Sequence, residues 1–236
     1  MRYRILMTVL RLVAVVLILR VLVTILAQYP DYFPPNFDSL FLQGREATFT
    51  GTYRVAFYVH IFSAPFVLVN GLILLSERVR RRRGGLHRAL GRLQVVVLLV
   101  FVLPSSVVMS RHAFGGRPAG LSFVLLSVAA ATCAVAGVAS VRRRRFDRHR
   151  RWMLRCYVLI CSAVALRLLS GAAGLLGVTS PEGAYIVAAW ASWLLPLAGY
   201  ELWERLPAQR AAVSARAATG YHGAAVDRSE PEGRLR

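Results

Sequence analysis

Six long apolar stretches alternate along the chain with shorter segments that are rich in arginine, glycine and proline. An α-helix needs about 20 apolar residues to cross the roughly 30 Å hydrocarbon core of a bilayer, and each stretch approaches or exceeds that length. The pattern therefore predicts an all-α, polytopic transmembrane helix bundle with a four-helix core and flanking helices. The six predicted helices cover about residues 5–27, 53–75, 92–111, 119–141, 152–174 and 184–203.

The two ends of the chain lead to separate expectations. The first apolar stretch is longer than the roughly 7–15 residues of a signal-peptide core, so we expect a retained helix. Residues 1–206 then form the six-helix transmembrane domain. The tail 207–236 is rich in Ala, Gly, Arg and Glu and has little apolar periodicity, which predicts a disordered cytoplasmic segment.

Composition supports a membrane protein. Hydrophobic residues make up 56% of the chain, whereas soluble domains average about 45–50%. The net charge is +19, and all 30 basic residues are Arg. Such a charge would suggest nucleic-acid binding in a soluble protein, but here the Arg runs flank apolar stretches and suit anionic headgroups. We expect anionic lipids at the cytoplasmic Arg loops and no nucleic-acid partner.

The distribution of arginine predicts the orientation. Seven Arg lie in 76–92, eight in 142–155, two at the N-terminus and six in the tail from 204. With an even number of helices these 23 fall on one side, and the positive-inside rule makes that side the cytoplasm. The other side has four: Arg45, Arg54, Arg111 and Arg117. We therefore expect a protein of the cell (inner or plasma) membrane with both termini in the cytoplasm.

Three basic side chains fall deep inside the predicted helices. Arg20, His60 and Arg167 each lie about seven residues from the outer end of a helix, which places them roughly 10 Å below the outer surface. No Asp or Glu lies at that depth. The buried charges therefore need an anion, either from Asp31, Asp38 or Glu46 of a loop folded back on the outer mouth or from a carboxylate or phosphate ligand.

The helix faces leave the role of His60 open. Tyr53, His60, Ala64, Val67 and Gly71 share one face, a small-residue groove that suits a neighbouring helix or a flat cofactor. An interhelical hydrogen bond is the simpler role for His60, and snorkelling to headgroups is the simpler role for both Arg residues. His112, at the end of helix three, could approach His60, so haem b ligation is possible but strained. It is better interpreted as an interface residue.

Packing signals lie on other helices. Pro104 predicts a kink that frees a carbonyl near Ser105 and Ser106. The three cysteines lie in apolar segments without metal-ligand spacing and indicate reduced packing residues. Small-residue stripes that allow close helix contact comprise Ala129, Cys133 and Gly137 in helix four and Ala163, Gly171 and Gly174 in helix five.

Two cytoplasmic loops end in similar His-Arg motifs. One is Leu86-His-Arg-Ala-Leu-Gly-Arg92, and the other is His149-Arg-Arg-Trp-Met-Leu-Arg155. In each we expect the histidine to precede a helix by one turn. The motifs serve either as interfacial anchors or as matched clamps for an anion or for each other. Their candidate residues are His87, Arg88, Arg92, His149, Arg150, Trp152 and Arg155.

Taken with His60, Ala64-Pro65, Gly71, Gly115-Gly116 and Arg167, these motifs resemble a bacterial family of predicted membrane proteins, DUF2306, over about residues 53–170. The resemblance implies the four-helix core and no established activity. Where the family often has a Gln, this chain has Leu74. A weaker similarity to ferric-reductase-like cytochrome b domains implies a haem-binding His in helix three, but Phe101 stands there.

Three hypotheses for function follow. The first is a redox protein that binds haem or quinone in the outer layer, with His60 as ligand or hydrogen-bond donor and with Arg20 and Arg167 facing propionates or a quinone oxygen. The second is a transporter or receptor for a small anion or lipid, and the third is a non-catalytic scaffold or assembly factor. An enzyme is less expected, because the sequence has no paired carboxylates, HExxH or CxxC. The metal, the protein partner and the oligomeric state stay unknown at this stage.

Overall fold

The computed structural model describes residues 2–39 and 41–226. Its elements are helical, and the described part of the chain contains no β-strand. The helices are α1 (Arg2–Ala27), α2 (Gly51–Leu75), α3 (Glu77–Arg82), α4 (Gly84–Val97), α5 (Leu103–Ser110), α6 (Gly116–Arg142), α7 (Phe146–Ile160), α8 (Ser162–Leu175) and α9 (Pro181–Val226). A 3₁₀ turn follows α1, and a π-helical turn, Leu98–Val102, joins α4 to α5.

Five helical stretches within the described residues are long and apolar enough to cross a membrane. They are Thr8–Asp31, Gly51–Leu75, Gly84–Ser110, Gly116–Arg142 and Phe146–Leu175. The predicted all-α membrane bundle is therefore confirmed. The predicted sixth span, 184–203, lies inside α9 but is not one of these five, so the number six is not confirmed.

Two spans begin earlier than the hydropathy pattern predicted. The third begins at Gly84 instead of 92, and the fifth begins at Phe146 instead of 152. Both His-Arg motifs therefore lie inside helices, and the expectation that each histidine precedes its helix was wrong. The reason is physical: a helix satisfies its own backbone, so it continues past the hydrocarbon edge into the headgroup region.

These two spans are built alike. His87 and His149 each occupy the fourth residue of a helix, and their N–H groups donate to the carbonyls of Arg83 and Arg145 at 3.0 and 2.9 Å. Each span is interrupted about 15 residues after its start. The π turn beginning at Leu98 interrupts one, and the break at Cys161 interrupts the other.

The segment between α1 and α2 folds back onto α2, as expected from its aromatic and proline content. Tyr32, Leu42 and Phe49 are buried against Tyr53 and Phe57. Arg45 fastens the segment. Its guanidinium donates to the Phe41 carbonyl at 2.9 Å, the Tyr53 hydroxyl at 3.0 Å and the His112 carbonyl at 2.6 Å.

Close contacts between helices form at three glycines. A Cβ on Gly71 would overlap the Tyr157 ring, one on Gly120 would meet the Ser110 carbonyl oxygen, and one on Gly137 would meet the Met153 sulfur. The predicted small-residue stripe of α6 is thus used for packing. The stripe of α8 is not, because Gly171 and Gly174 have no atom near the position of a Cβ.

The chain divides into one unit that ends at Pro196 and a second that begins at Leu197. In the second unit the described backbone is helical as far as Val226, and the Tyr200 and Trp203 rings lie 6.3 Å apart. Residue 206 is therefore not a helix end. The disordered tail 207–236 stays a prediction, and residues 227–236 lie outside the described part.

Candidate functional site

His60 of α2 is held by two serines of α5. Its Nδ1 lies 3.2 Å from the Ser105 hydroxyl and 3.3 Å from the Ser106 hydroxyl. Both serines lie in the first turn of α5 beside Pro104, which has no N–H and cannot donate to the preceding turn. The π-helical turn Leu98–Val102 lies directly before Pro104, and the two hydroxyls that follow it reach the imidazole.

The serines fix the tautomer of the imidazole. Each hydroxyl has one hydrogen. Ser105 donates it to the Phe101 and Val102 carbonyls at 2.6 and 2.9 Å, and Ser106 donates to Val102 at 2.8 Å. The hydroxyl oxygens are then left as acceptors, so Nδ1 of His60 carries the proton and donates. In the neutral ring Nε2 has a free lone pair, which can accept a hydrogen bond or bind a cation.

Arg167 of α8 belongs to the same region. Its guanidinium donates to the Ala163 carbonyl at 3.0 Å. Its charge acts electrostatically on His60 and on the phenols of Tyr29, Tyr32 and Tyr185. The ion pairs of Glu77 with Arg80 and Arg81 do not involve Arg167, and no described carboxylate forms a recorded ion pair with it.

The folded-back segment supplies phenols to this region, whereas a carboxylate was expected. Tyr29 donates its hydroxyl hydrogen to the Ile61 carbonyl, and the Tyr58 hydroxyl donates to the Tyr32 carbonyl at 3.0 Å. Burial raises the pKa of the Tyr32 phenol, and the positive charge of Arg167 opposes that rise. Phenols can orient the guanidinium but leave its charge without a counterion.

A cleft of about 220 Å³ lies beside this region. It is lined by Phe114, Ser170, Ala173, Gly174, Val178, Pro181, Ala184 and Tyr185. Tyr185 thus faces the cleft and also lies within the electrostatic reach of Arg167. The Ser170 hydroxyl is buried and has no hydrogen-bond partner, so the cleft offers an unused donor and acceptor one helical turn from Arg167.

Two further candidates, Arg20 of the predicted layer and His112, lie elsewhere. Arg20 lies on α1 with an exposed side chain, as Arg167 has on α8, but it is not among the charges that act on His60. The His112 ring packs edge-on against Tyr53 with a centroid distance of 5.1 Å, and its side chain is exposed. The structure therefore places Arg167, but not Arg20, within electrostatic range of His60. An interface role for His112 stays a prediction.

A haem does not fit the face of α2 below His60. A flat macrocycle would need the groove at Gly71, and the Tyr157 ring fills it. The residues described hold no group of three or more His, Cys, Asp or Glu side chains that could bind a metal ion. The neighbouring-helix interpretation of this groove is the one that the packing supports.

A buried polar pair between α2 and α4 was missed by sequence reasoning. The Asn70 side chain donates to the Gln94 side-chain oxygen at 2.8 Å and to the Leu90 carbonyl at 3.1 Å. Gln94 in turn donates to the Val67 carbonyl at 2.9 Å. The pair is self-contained and therefore structural. An Asn in the middle of an apolar helix was the signal that could have indicated it.

The His-Arg motifs lie within electrostatic range of each other at the arginine-rich end of the helices. The His149 ring donates from Nδ1 to the Gly137 carbonyl at 2.9 Å, and His149 acts electrostatically on His87. The Nδ1 atom of His87 is buried without a partner. Arg155 stacks over the Trp152 ring at 5.0 Å. Exposed side chains here include Arg88, Arg92 and Arg150, which leaves headgroup anchoring as their simplest role.

Comparison with known proteins identifies the family. The family described as "Predicted membrane protein (DUF2306)" matches residues 57–203, which include most of α2, the helices α3 to α8 and the first part of α9. No curated protein and no solved structure is significantly similar to the chain. The match covers more than half of the chain, and five apolar helices of spanning length accompany it. The chain therefore belongs to the DUF2306 family of multi-pass membrane proteins.

Proposed function

We propose that this protein binds a small lipid-like anion between α2 and α8, as a transporter or receptor for that anion. The observation that supports the proposal is that Arg167 lies within electrostatic range of His60 and has no carboxylate partner among the described residues. A guanidinium has five donors in a planar fork, and only one described hydrogen bond, to Ala163, uses them. A carboxylate or phosphate would match the remaining fork.

His60 complements such a head. With Nδ1 committed to the two serines, Nε2 accepts a proton or a hydrogen bond from a protonated acid or hydroxyl. Arg167 and His60 together therefore suit a head that carries both an anionic oxygen and a donor. The adjoining cleft, mostly apolar and with one free hydroxyl at Ser170, suits a short alkyl or ring body.

The proposal includes an orientation. The arginine-rich ends at Arg80–Arg83 and Arg142–Arg145 lie in the cytoplasm, which puts His60 and Arg167 in the outer half of the bilayer. With α9 as a sixth span, both termini are cytoplasmic in a cell membrane. An anion would then reach the site from the outer leaflet, beneath the aromatic segment held by Arg45.

Thermal unfolding of purified protein in neutral detergent tests the binding. The probes are octanoate, octyl phosphate and a short-chain quinone. An acidic amphiphile at 100 times its dissociation constant adds about 2.7 kcal/mol to the free energy of unfolding, so we expect a clear rise in Tm for the wild type. Stabilisation by none of the acidic probes would refute the proposal and favour a scaffold.

Arg20 provides a matched control. Arg167→Gln removes the guanidinium of the site, whereas Arg20→Gln removes one exposed guanidinium from α1. We expect the probe-dependent rise in Tm to disappear in the first variant and to persist in the second. Equal loss in both variants would indicate nonspecific charge attraction and would count against a site at Arg167.

Quinone is the second candidate, and the bare Nε2 of His60 favours it. A quinol hydroxyl can donate to Nε2 while a quinone carbonyl accepts from Arg167. This hypothesis predicts that quinone is extracted from the wild-type protein and not from Arg167→Gln. Stabilisation by the quinone probe alone would choose this candidate over the anion.

A further inference from the structure

A second cleft opens on the arginine-rich side of the protein, between α4 and α6. Its volume is about 390 Å³, and it is lined by Val95, Leu99, Val135, Val138, Ala139, Arg142 and Arg143. Five of these side chains are apolar. The two arginines lie together at one end, where α6 finishes at Arg142.

The shape of the cleft follows from the helices. Val95 and Leu99 lie four residues apart on the α4 span, and Val135, Val138 and Arg142 follow one stripe of α6. Two facing stripes form a groove. From Arg142 to Val135 the groove extends seven residues, or about 10 Å along the helix axis. One leaflet contributes about half of the roughly 30 Å hydrocarbon core. The length of the groove is therefore most of the depth that the acyl chains of one leaflet occupy.

The arginine end has an excess of positive charge. No described carboxylate forms a recorded ion pair with Arg142 or Arg143, and the Glu77 pairs involve Arg80 and Arg81. The C-terminal end of α6 carries roughly half a negative charge from its unpaired carbonyls. Two full guanidinium charges outweigh it, so this end attracts anions.

The turn after α6 keeps these arginines at the mouth of the groove. The Arg144 N–H donates to the Val141 carbonyl at 3.0 Å, and the Arg145 N–H donates to the Ser140 carbonyl at 2.9 Å. This pair of bonds is a Schellman motif. Arg144 stands at its left-handed position with φ of 55°, where glycine is the usual residue. The chain therefore turns sharply directly beyond Arg143.

We propose that this groove binds one anionic phospholipid, with an acyl chain along Val95, Leu99 and Val135 and its phosphate on Arg142 and Arg143. An apolar groove within a membrane span is bathed by acyl chains. The planar fork of Arg binds phosphate in a bidentate manner, which fixes the head at the mouth. The site is separate from the His60 site, and it does not rest on the function proposed above.

Thermal unfolding and native mass spectrometry of the full chain in neutral detergent test this proposal. The probes are phosphatidylglycerol and phosphatidylcholine with identical chains, together with inorganic phosphate. We expect retention of one phosphatidylglycerol and a rise in Tm that phosphatidylcholine does not give. Equal effects of the two lipids would overturn the proposal, and so would an equal effect of inorganic phosphate, because the acyl chain would then contribute nothing.

Three variants distinguish lipid binding in the groove from nonspecific attraction of anionic lipids to the arginines. Arg142→Gln with Arg143→Gln should weaken phosphatidylglycerol binding about 30-fold, from about fivefold for each charge. Arg144→Gly removes a neighbouring charge outside the groove and suits the left-handed turn, so binding should change less than fivefold. Val135→Trp fills the end of the groove opposite the arginines without changing any charge, and it should also abolish the retention of phosphatidylglycerol. A loss in Arg144→Gly as large as that of the double variant would overturn the proposal, as would full binding by Val135→Trp.

Discussion

The Tyr157 ring occupies the space beside Gly71, so that a Cβ on this glycine would overlap the ring carbons. The Tyr157 hydroxyl donates to the carbonyl of Leu68 at 3.1 Å. Leu68 lies on α2, one turn before Gly71. Shape and a hydrogen bond therefore fix α7 against α2 at a distance that only glycine permits. The contact makes the small-residue face of α2 a helix interface.

Gly71→Ala should lower the free energy of unfolding by about 1–3 kcal/mol, because overpacking displaces an aromatic ring that has no free space. Thermal unfolding in detergent measures the effect. Gly171→Ala is the matched control in α8, since nothing lies within 4 Å of its Cβ and alanine favours a helix. Equal destabilisation by both substitutions would contradict the interface.

Ser105 and Ser106 should substitute for each other in holding His60. Either single change to Ala leaves one acceptor for the Nδ1–H, so we expect a small loss of stability. The double variant leaves that donor unsatisfied, which costs about 1–3 kcal/mol. Ser63→Ala is the control, because its hydroxyl bonds only to Val59 of its own helix. A double variant that loses no more than the singles together would rule out shared acceptance.

Arg45→Gln should release the segment between α1 and α2. The variant loses the guanidinium bonds to Tyr53 and to the His112 carbonyl, which fasten the segment to α2 and to the end of α5. We expect faster limited proteolysis between residues 32 and 50. Arg54→Gln removes an exposed charge on the same side and should cleave like the wild type. Equal cleavage of the two variants would argue against this fastening role.

The proposed orientation can be tested by labelling two introduced cysteines. Asp38→Cys should react with a membrane-impermeant maleimide in intact cells, and Arg82→Cys only after the membrane is permeabilised. The native Cys133 and Cys156 are buried, and Cys161 is half-buried, so the background should be low. The reverse pattern of labelling would show that the protein has the opposite orientation in the membrane.

Hydropathy alone predicted the helices well, because desolvation of the backbone makes long apolar runs helical in lipid. It placed the starts of α4 and α7 too late, because charged residues such as Arg88 and Arg150 do not end a helix. Such residues mark where the chain lies outside the hydrocarbon core, while the helical backbone continues through them. Hydropathy also did not predict that α9 continues beyond residue 203. The sequence there lacks the apolar periodicity on which the prediction depended.

Counting residues from the helix ends grouped Arg20, His60 and Arg167 by depth, and that depth stays a prediction. The structure places Arg167 within electrostatic range of His60, and Arg20 is not among the charges that act on it. Which side chains meet depends on how each helix is rotated about its axis, and tertiary packing sets that rotation. A count of residues along each helix therefore could not separate Arg20 from Arg167.

The matching starts of the third and fifth spans have a consequence for the ancestry of the chain. Each span follows a long helix and an arginine-rich connection, and each has a histidine as the fourth residue of its helix. Each is also interrupted about 15 residues after its start. Such a correspondence between α4 and α7 is the pattern that the doubling of one helical hairpin would produce.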